Sequence, residues 1–121
     1  FTGTSFGVWP MQVDAWFFGK DYAGLQSVKV PYFAIAGEKD TSCPSPTVQA
    51  SARRMGGPAW VVELAGASHN LGDAESEARA WELVFWDAHL RGNAAARARL
   101  APGNTVSGST RSRMLVSPPA P

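Results

Sequence analysis

The chain has 121 residues, 45% of them apolar, with five tryptophans and a net charge of +1. That size and apolar content suit one small domain with a single buried core and exclude a disordered chain. The near-neutral charge argues against a nucleic-acid stripe, no apolar run is long enough to span a bilayer, and the single cysteine, Cys43, excludes an internal disulfide.

Residues 1–29 place Gly3, Gly7, Pro10, Gly19 and Gly24 among aromatic side chains, which reads as loop with one helical turn around Gln12–Phe17. Trp9, Trp16, Phe17 and Phe18 are candidates either for the core or for an acyl or aromatic pocket. Val30–Ala36 is a continuous apolar run, the pattern of a strand buried on both faces. A loop over 37–45 follows. Pro46–Met55 reads as a helix, with Ser45 as N-cap, Pro46 at the first helical position and Gly56-Gly57 as its stop.

Trp60–Leu64 is the second expected strand. Asp73 is the expected cap of a long helix over Ala74–Arg91, ended by Gly92. Its apolar stripe is Ala78, Trp81, Phe85 and Ala88. His89, near its C-terminus, is expected to gain from the helix dipole in a partly charged form. A short helix over Ala94–Leu100 completes a domain spanning 1–101. The Gly/Ser/Pro-rich remainder, 102–121, is expected to be a disordered tail.

The order strand, helix, strand, helix predicts an α/β fold with right-handed crossovers and a parallel sheet. In such sheets chemistry gathers beyond the carboxyl ends of the strands. Asp40 lies just past the first strand and His69 just past the second, 29 residues later. An acid and a histidine on neighbouring strand tips are the orienting half of a nucleophile–His–Asp triad. The bland reading of the two residues is a loop acid and an unrelated loop histidine.

The nucleophile is the weak point. Gly3-Thr-Ser-Phe-Gly7 matches the G-x-S-x-G elbow pattern, which makes Ser5 a candidate. Only Phe1 and Thr2 precede it where a strand should enter, and Pro10 interrupts the helix that should leave. Cys43 is a second candidate, placed in the acid's own loop rather than in an elbow. Glu38, Asp40, Cys43 and His69 carry ligand chemistry, but their spacing fits no familiar zinc pattern, and no metal site is expected.

Two segments, Val30-Pro31…Ala36-Gly-Glu-Lys-Asp40…Pro44 and Leu64-Ala-Gly-Ala-Ser-His69, resemble the C-terminal part of the α/β-hydrolase family. The likeness is to its dienelactone-hydrolase, cutinase and polyester-hydrolase branch. It extends over roughly residues 28–100, including His89-Leu-Arg-Gly-Asn93 at the end of the long helix. The resemblance implies a serine hydrolase of esterase type, with Asp40 as triad acid and His69 as base. It implies small-molecule or polymeric ester substrates and no cofactor. It leaves the compartment open, with secretion as one option. Phe1-Thr-Gly-Thr reads as a cut into a longer protein, so the serine is expected upstream of this chain. A fragment of that kind exposes a sheet edge through which it would self-associate. The rival reading is a non-catalytic or degenerate α/β module that lacks a nucleophile.

Overall fold

The computed structural model describes residues 23–106 and 110–119. The expected turn around Gln12–Phe17, the four aromatics Trp9, Trp16, Phe17 and Phe18, and the candidate Ser5 lie outside the described residues. The elements are α1 (Ala23–Gln26), β1 (Tyr32–Gly37), α2 (Ser45–Arg53), β2 (Ala59–Leu64), α3 (Glu75–Leu90), α4 (Ala94–Arg99) and β3 (Ser112–Val116). A 3₁₀ turn, Gly72–Ala74, precedes α3. The result is a small mixed α/β domain built on a three-stranded sheet, in the order β1-β2-β3.

β1 and β2 run parallel, with Tyr32 opposite Ala59 and Gly37 opposite Leu64. The expected start of β1 at Val30 is two residues early. Pro31 has no N–H to give a ladder, so pairing opens with the Tyr32 N–H on the Pro58 carbonyl at 2.9 Å, and Val30 is left 56% exposed. The pleat sends alternate residues to opposite faces. Phe33, Trp60, Val62 and Leu64 face a cluster with Trp81, Phe85 and other residues of α3 and α4. Tyr32, Ala34, Ala36 and Val61 face a second cluster with Leu25 of α1 and Val48 and Ala52 of α2. The sheet is therefore covered on both sides, as the apolar run of β1 and the apolar run of β2, broken only by Glu63, require.

The long helix buries the expected stripe of Ala78, Trp81, Phe85 and Ala88. Phe85 stacks on Phe33 at 5.1 Å between ring centroids and meets Trp60 edge-on at 6.0 Å, while the Trp60 indole N–H donates to the Leu100 carbonyl at 3.0 Å. Both expected caps are corrected. α2 begins at Ser45 behind Pro44, so Ser45 sits inside the helix, buried, and its hydroxyl receives the Gln49 side chain at 3.3 Å. Asp73 belongs to the 3₁₀ turn and pairs with Arg111 at 3.0 Å instead of capping α3. Asn93 is the side-chain cap that composition did not single out. Its Oδ1 accepts the Ala95 and Ala96 amides, just past Arg91 and Gly92, which follow the end of α3 at Leu90.

The tail also departs from expectation. Ser112–Val116 is not disordered but forms β3, antiparallel to β2. Glu63 supplies a physical reason. This carboxylate lies in the middle strand and is 8% exposed, a costly position without a counter-charge. Its partner is Arg113, directly opposite in the register, with Nη2 at 2.7 Å from Oε1. Met114 and Val116 add apolar packing to the two core clusters. Among the described residues, the outer side of β1 pairs with no strand. No helix of the described residues is long and apolar enough to cross a membrane.

Candidate functional site

The two parallel strands end side by side, and their exit loops are stitched together. The Glu38 N–H donates to the Leu64 carbonyl at 3.1 Å and the Lys39 N–H to the Ala67 carbonyl at 2.8 Å. The Glu38 carboxylate accepts the Gly66 N–H at 2.7 Å, so this acid serves the loop frame. Gly37 permits the approach. A β-carbon there would lie 2.5 Å from the Ala67 carbonyl oxygen and 2.7 Å from that of Ser68.

On this frame Asp40 and His69 meet. Asp40 Oδ1 accepts the amides of Ser42 and Cys43, both at 2.8 Å, in a local turn of its own making. That fixes the carboxylate and leaves Oδ2 for His69 Nδ1, 2.9 Å away. Burial pulls the Asp40 carboxyl upward, but the Cys43 amide, the His69 ring and the Ser42 amide together outweigh it. The net shift is below the ordinary 3.8. An ionised carboxylate has no proton to give, so Nδ1 carries the hydrogen, and in the neutral imidazole the lone pair is then on Nε2. The Asp40 side chain is 7% exposed and the His69 side chain 50% exposed. The acid is thus held inside while the base reaches solvent, with no described residue hydrogen-bonded to Nε2.

Strain sits close to the histidine. Leu71, two residues on, has φ 59°, unusual for a side chain branched at Cγ, and its N–H returns to the Ser68 carbonyl at 3.0 Å. The loop is therefore closed on itself on both sides of His69.

Cys43 also arrives at this point. One donor atom from each of Asp40, Cys43 and His69 lies within 4.8 Å of the other two. Glu38, the fourth residue of the sequence-level group, is engaged elsewhere. The signal for the Asp40 turn was present in the sequence, as an Asp followed by Thr41 and Ser42. Gly37 carried no such signal, because its role depends on a loop 30 residues away.

His89 stays apart from the site. Its ring packs on Phe85 at 4.7 Å and Trp60 at 5.1 Å. Burial first, and then the nearby Arg97 guanidinium, hold its pKa below the ordinary 6.5, so the expected partly charged form gives way to a neutral ring. A consequence in solution follows from linkage. Below about pH 6.5 the unfolded chain takes up a proton that the native ring refuses, so stability falls until the lowered native pKa is passed. Urea midpoints measured from pH 8 to pH 5, roughly, are expected to decline in this window, and His89→Gln is expected to flatten the decline.

Compared with known proteins, the chain matches no family model and no curated protein.

Proposed function

We propose that the chain carries the acid–base half of a serine hydrolase of esterase type, in an α/β-hydrolase-like arrangement. The observation that carries this reading is the 2.9 Å contact between His69 Nδ1 and an ionised, doubly anchored Asp40 at the ends of two adjacent parallel strands. The order of acid before base, one helix and one strand apart, and the resemblance of both motifs to the dienelactone-hydrolase, cutinase and polyester-hydrolase branch also support it.

In this reading the free lone pair of His69 Nε2 takes the proton of a serine hydroxyl as its oxygen attacks an ester carbonyl. Asp40 stabilises the imidazolium so formed and holds its tautomer. The same proton then passes to the departing alcohol, and water cleaves the acyl-enzyme by the reverse sequence. The serine is Ser5, which lies outside the described residues, or one absent from this sequence. Backbone N–H groups that would hold the oxyanion belong to the same region. Small-molecule and polymeric esters are the substrate classes proposed.

A second reading is favoured by one observation: among the described residues no hydroxyl bonds His69 Nε2. It makes the chain a non-catalytic α/β module in which the pair survives without a nucleophile. Intact-mass analysis after treatment with a fluorophosphonate probe separates the two. A single serine adduct that His69→Ala abolishes supports the hydrolase. No adduct on chain whose circular dichroism shows an intact fold overturns Ser5 as the nucleophile and a self-sufficient hydrolase, and leaves either the acid–base half of a triad whose serine is absent from this sequence or the module.

A further inference from the structure

The site holds more chemistry than a triad uses. A triad needs an acid and an imidazole, yet a thiol joins them here, and it is the only thiol in the chain. The three donor types are a carboxylate oxygen, a sulfur and an imidazole nitrogen. That mixture suits a borderline-soft divalent cation and disfavours Mg²⁺ or Ca²⁺, which require mostly oxygen.

We propose that Asp40, Cys43 and His69 form a three-ligand site for Zn²⁺ or a cation of the same class, and that metal binding there excludes the hydrogen-bonded Asp40–His69 pair. Tetrahedral Zn²⁺ has bonds of about 2.3 Å to sulfur and about 2.0–2.2 Å to nitrogen and oxygen, which puts its ligand atoms about 3.3–3.7 Å apart. One donor atom from each residue already lies within 4.8 Å of the other two, and His69 Nδ1 and Asp40 Oδ2 are 2.9 Å apart. Shifts of about 1 Å, opening the Asp40–His69 contact and drawing the three donors to about 3.3–3.7 Å, produce the site. Two ligands come from one short loop, in which the Cys43 amide is already bonded to the Asp40 carboxylate. The half-exposed His69 leaves a way in and room for water as a fourth ligand.

The proton balance is simple. The cation binds ionised Asp40, the Cys43 thiol loses its proton to solvent, and the proton on His69 Nδ1 moves to Nε2 as the metal takes its place. Starting from the neutral imidazole, the exchange leaves the charge of the ring unchanged. With Nε2 now an N–H, it can no longer accept a proton from a serine. Resting on the hydrolase reading, this makes the metal-bound state an inhibited one, by the wrong tautomer as well as by the lost carboxylate.

The test is a Co²⁺ titration of the whole chain under reducing conditions, followed by optical absorption. A near-ultraviolet thiolate-to-cobalt band can come only from Cys43. The expected result is that band together with visible bands of tetrahedral Co²⁺, saturating at one ion per chain and displaced by Zn²⁺. Cys43→Ser is expected to remove the near-ultraviolet band, and His69→Ala to weaken binding at least about tenfold, since even outer partners of metal ligands cost that much. His89→Gln is expected to change neither. Should a variant misfold, the unaltered chain still decides: Zn²⁺ is expected to slow iodoacetamide alkylation of Cys43 at least about tenfold, and a chelator to restore it. Absence of the thiolate band, a band indifferent to His69→Ala, or alkylation unaffected by Zn²⁺ overturns the site. None of these readouts involves an ester or a serine, so failure of the hydrolase leaves the metal site standing, and the reverse.

Discussion

On the proposed hydrolase reading, replacing Asp40 by Asn is expected to lower ester turnover by about 10⁴-fold, with the loss in kcat rather than KM. The side chain keeps its shape, and its oxygen can still accept the Ser42 and Cys43 amides that shape the loop. What changes is the atom facing His69. An amide NH₂ turned toward Nδ1 selects the tautomer with its hydrogen on Nε2, which cannot take a serine proton. The imidazolium formed during turnover also loses its counter-ion. Steady-state kinetics alongside thermal melting check the expectation. Unchanged kcat with only a lowered melting temperature would reduce Asp40 to a loop brace and remove the main support for a triad.

Gly37→Ala is expected to damage fold and site together. Its β-carbon would meet the backbone oxygens of Ala67 and Ser68, neither of which can rotate away. The histidine loop must lift, stretching the 2.8 Å bond from the Lys39 N–H to Ala67 and drawing His69 off Asp40. Overpacking of this kind costs about 1–3 kcal/mol. Gly66→Ala is the informative comparison. Gly66 has φ 71° but open space where a β-carbon would go, so its cost is local strain of about 1–2 kcal/mol and not displacement of the loop. Urea denaturation of both variants, together with the imidazole NMR shifts of His69, separates the effects. The Gly37 variant is expected to change the His69 signals, whereas the Gly66 variant is expected to lose stability with smaller spectral change. Equal behaviour would mean that the close approach at Gly37 does not hold the two loops.

The parts of this molecule written in local pattern could be read without coordinates. The apolar runs of β1 and β2, the stripe Ala78–Trp81–Phe85–Ala88 and the stop at Gly92 each depend on residues close in sequence. The meeting of Asp40 with His69 followed from their positions after two neighbouring strands. What escaped was written at long range. Ser112–Val116 is five residues long in a polar, Pro-rich setting, and it becomes a strand because β2 offers an edge and a buried Glu63 that needs Arg113. The ligand set was judged by its separation along the chain, whereas folding brings Cys43 and His69 together across a whole helix and strand. Cap positions failed for a smaller reason. Pro44 and the 3₁₀ turn each moved a helix start by one residue, enough to change what Ser45 and Asp73 do.

The strand order also sets a timetable for synthesis. β1 is complete before β2 is made, so that half of the sheet can zip as soon as Leu64 is free. The other edge of β2 must wait, because the partner of Glu63 is 50 residues further along. Throughout that interval a nascent chain carries an open ladder and an uncompensated carboxylate in what will become the middle of its sheet. Neighbouring chains on the same message are then most able to pair with it, and arrival of Arg113 closes that window.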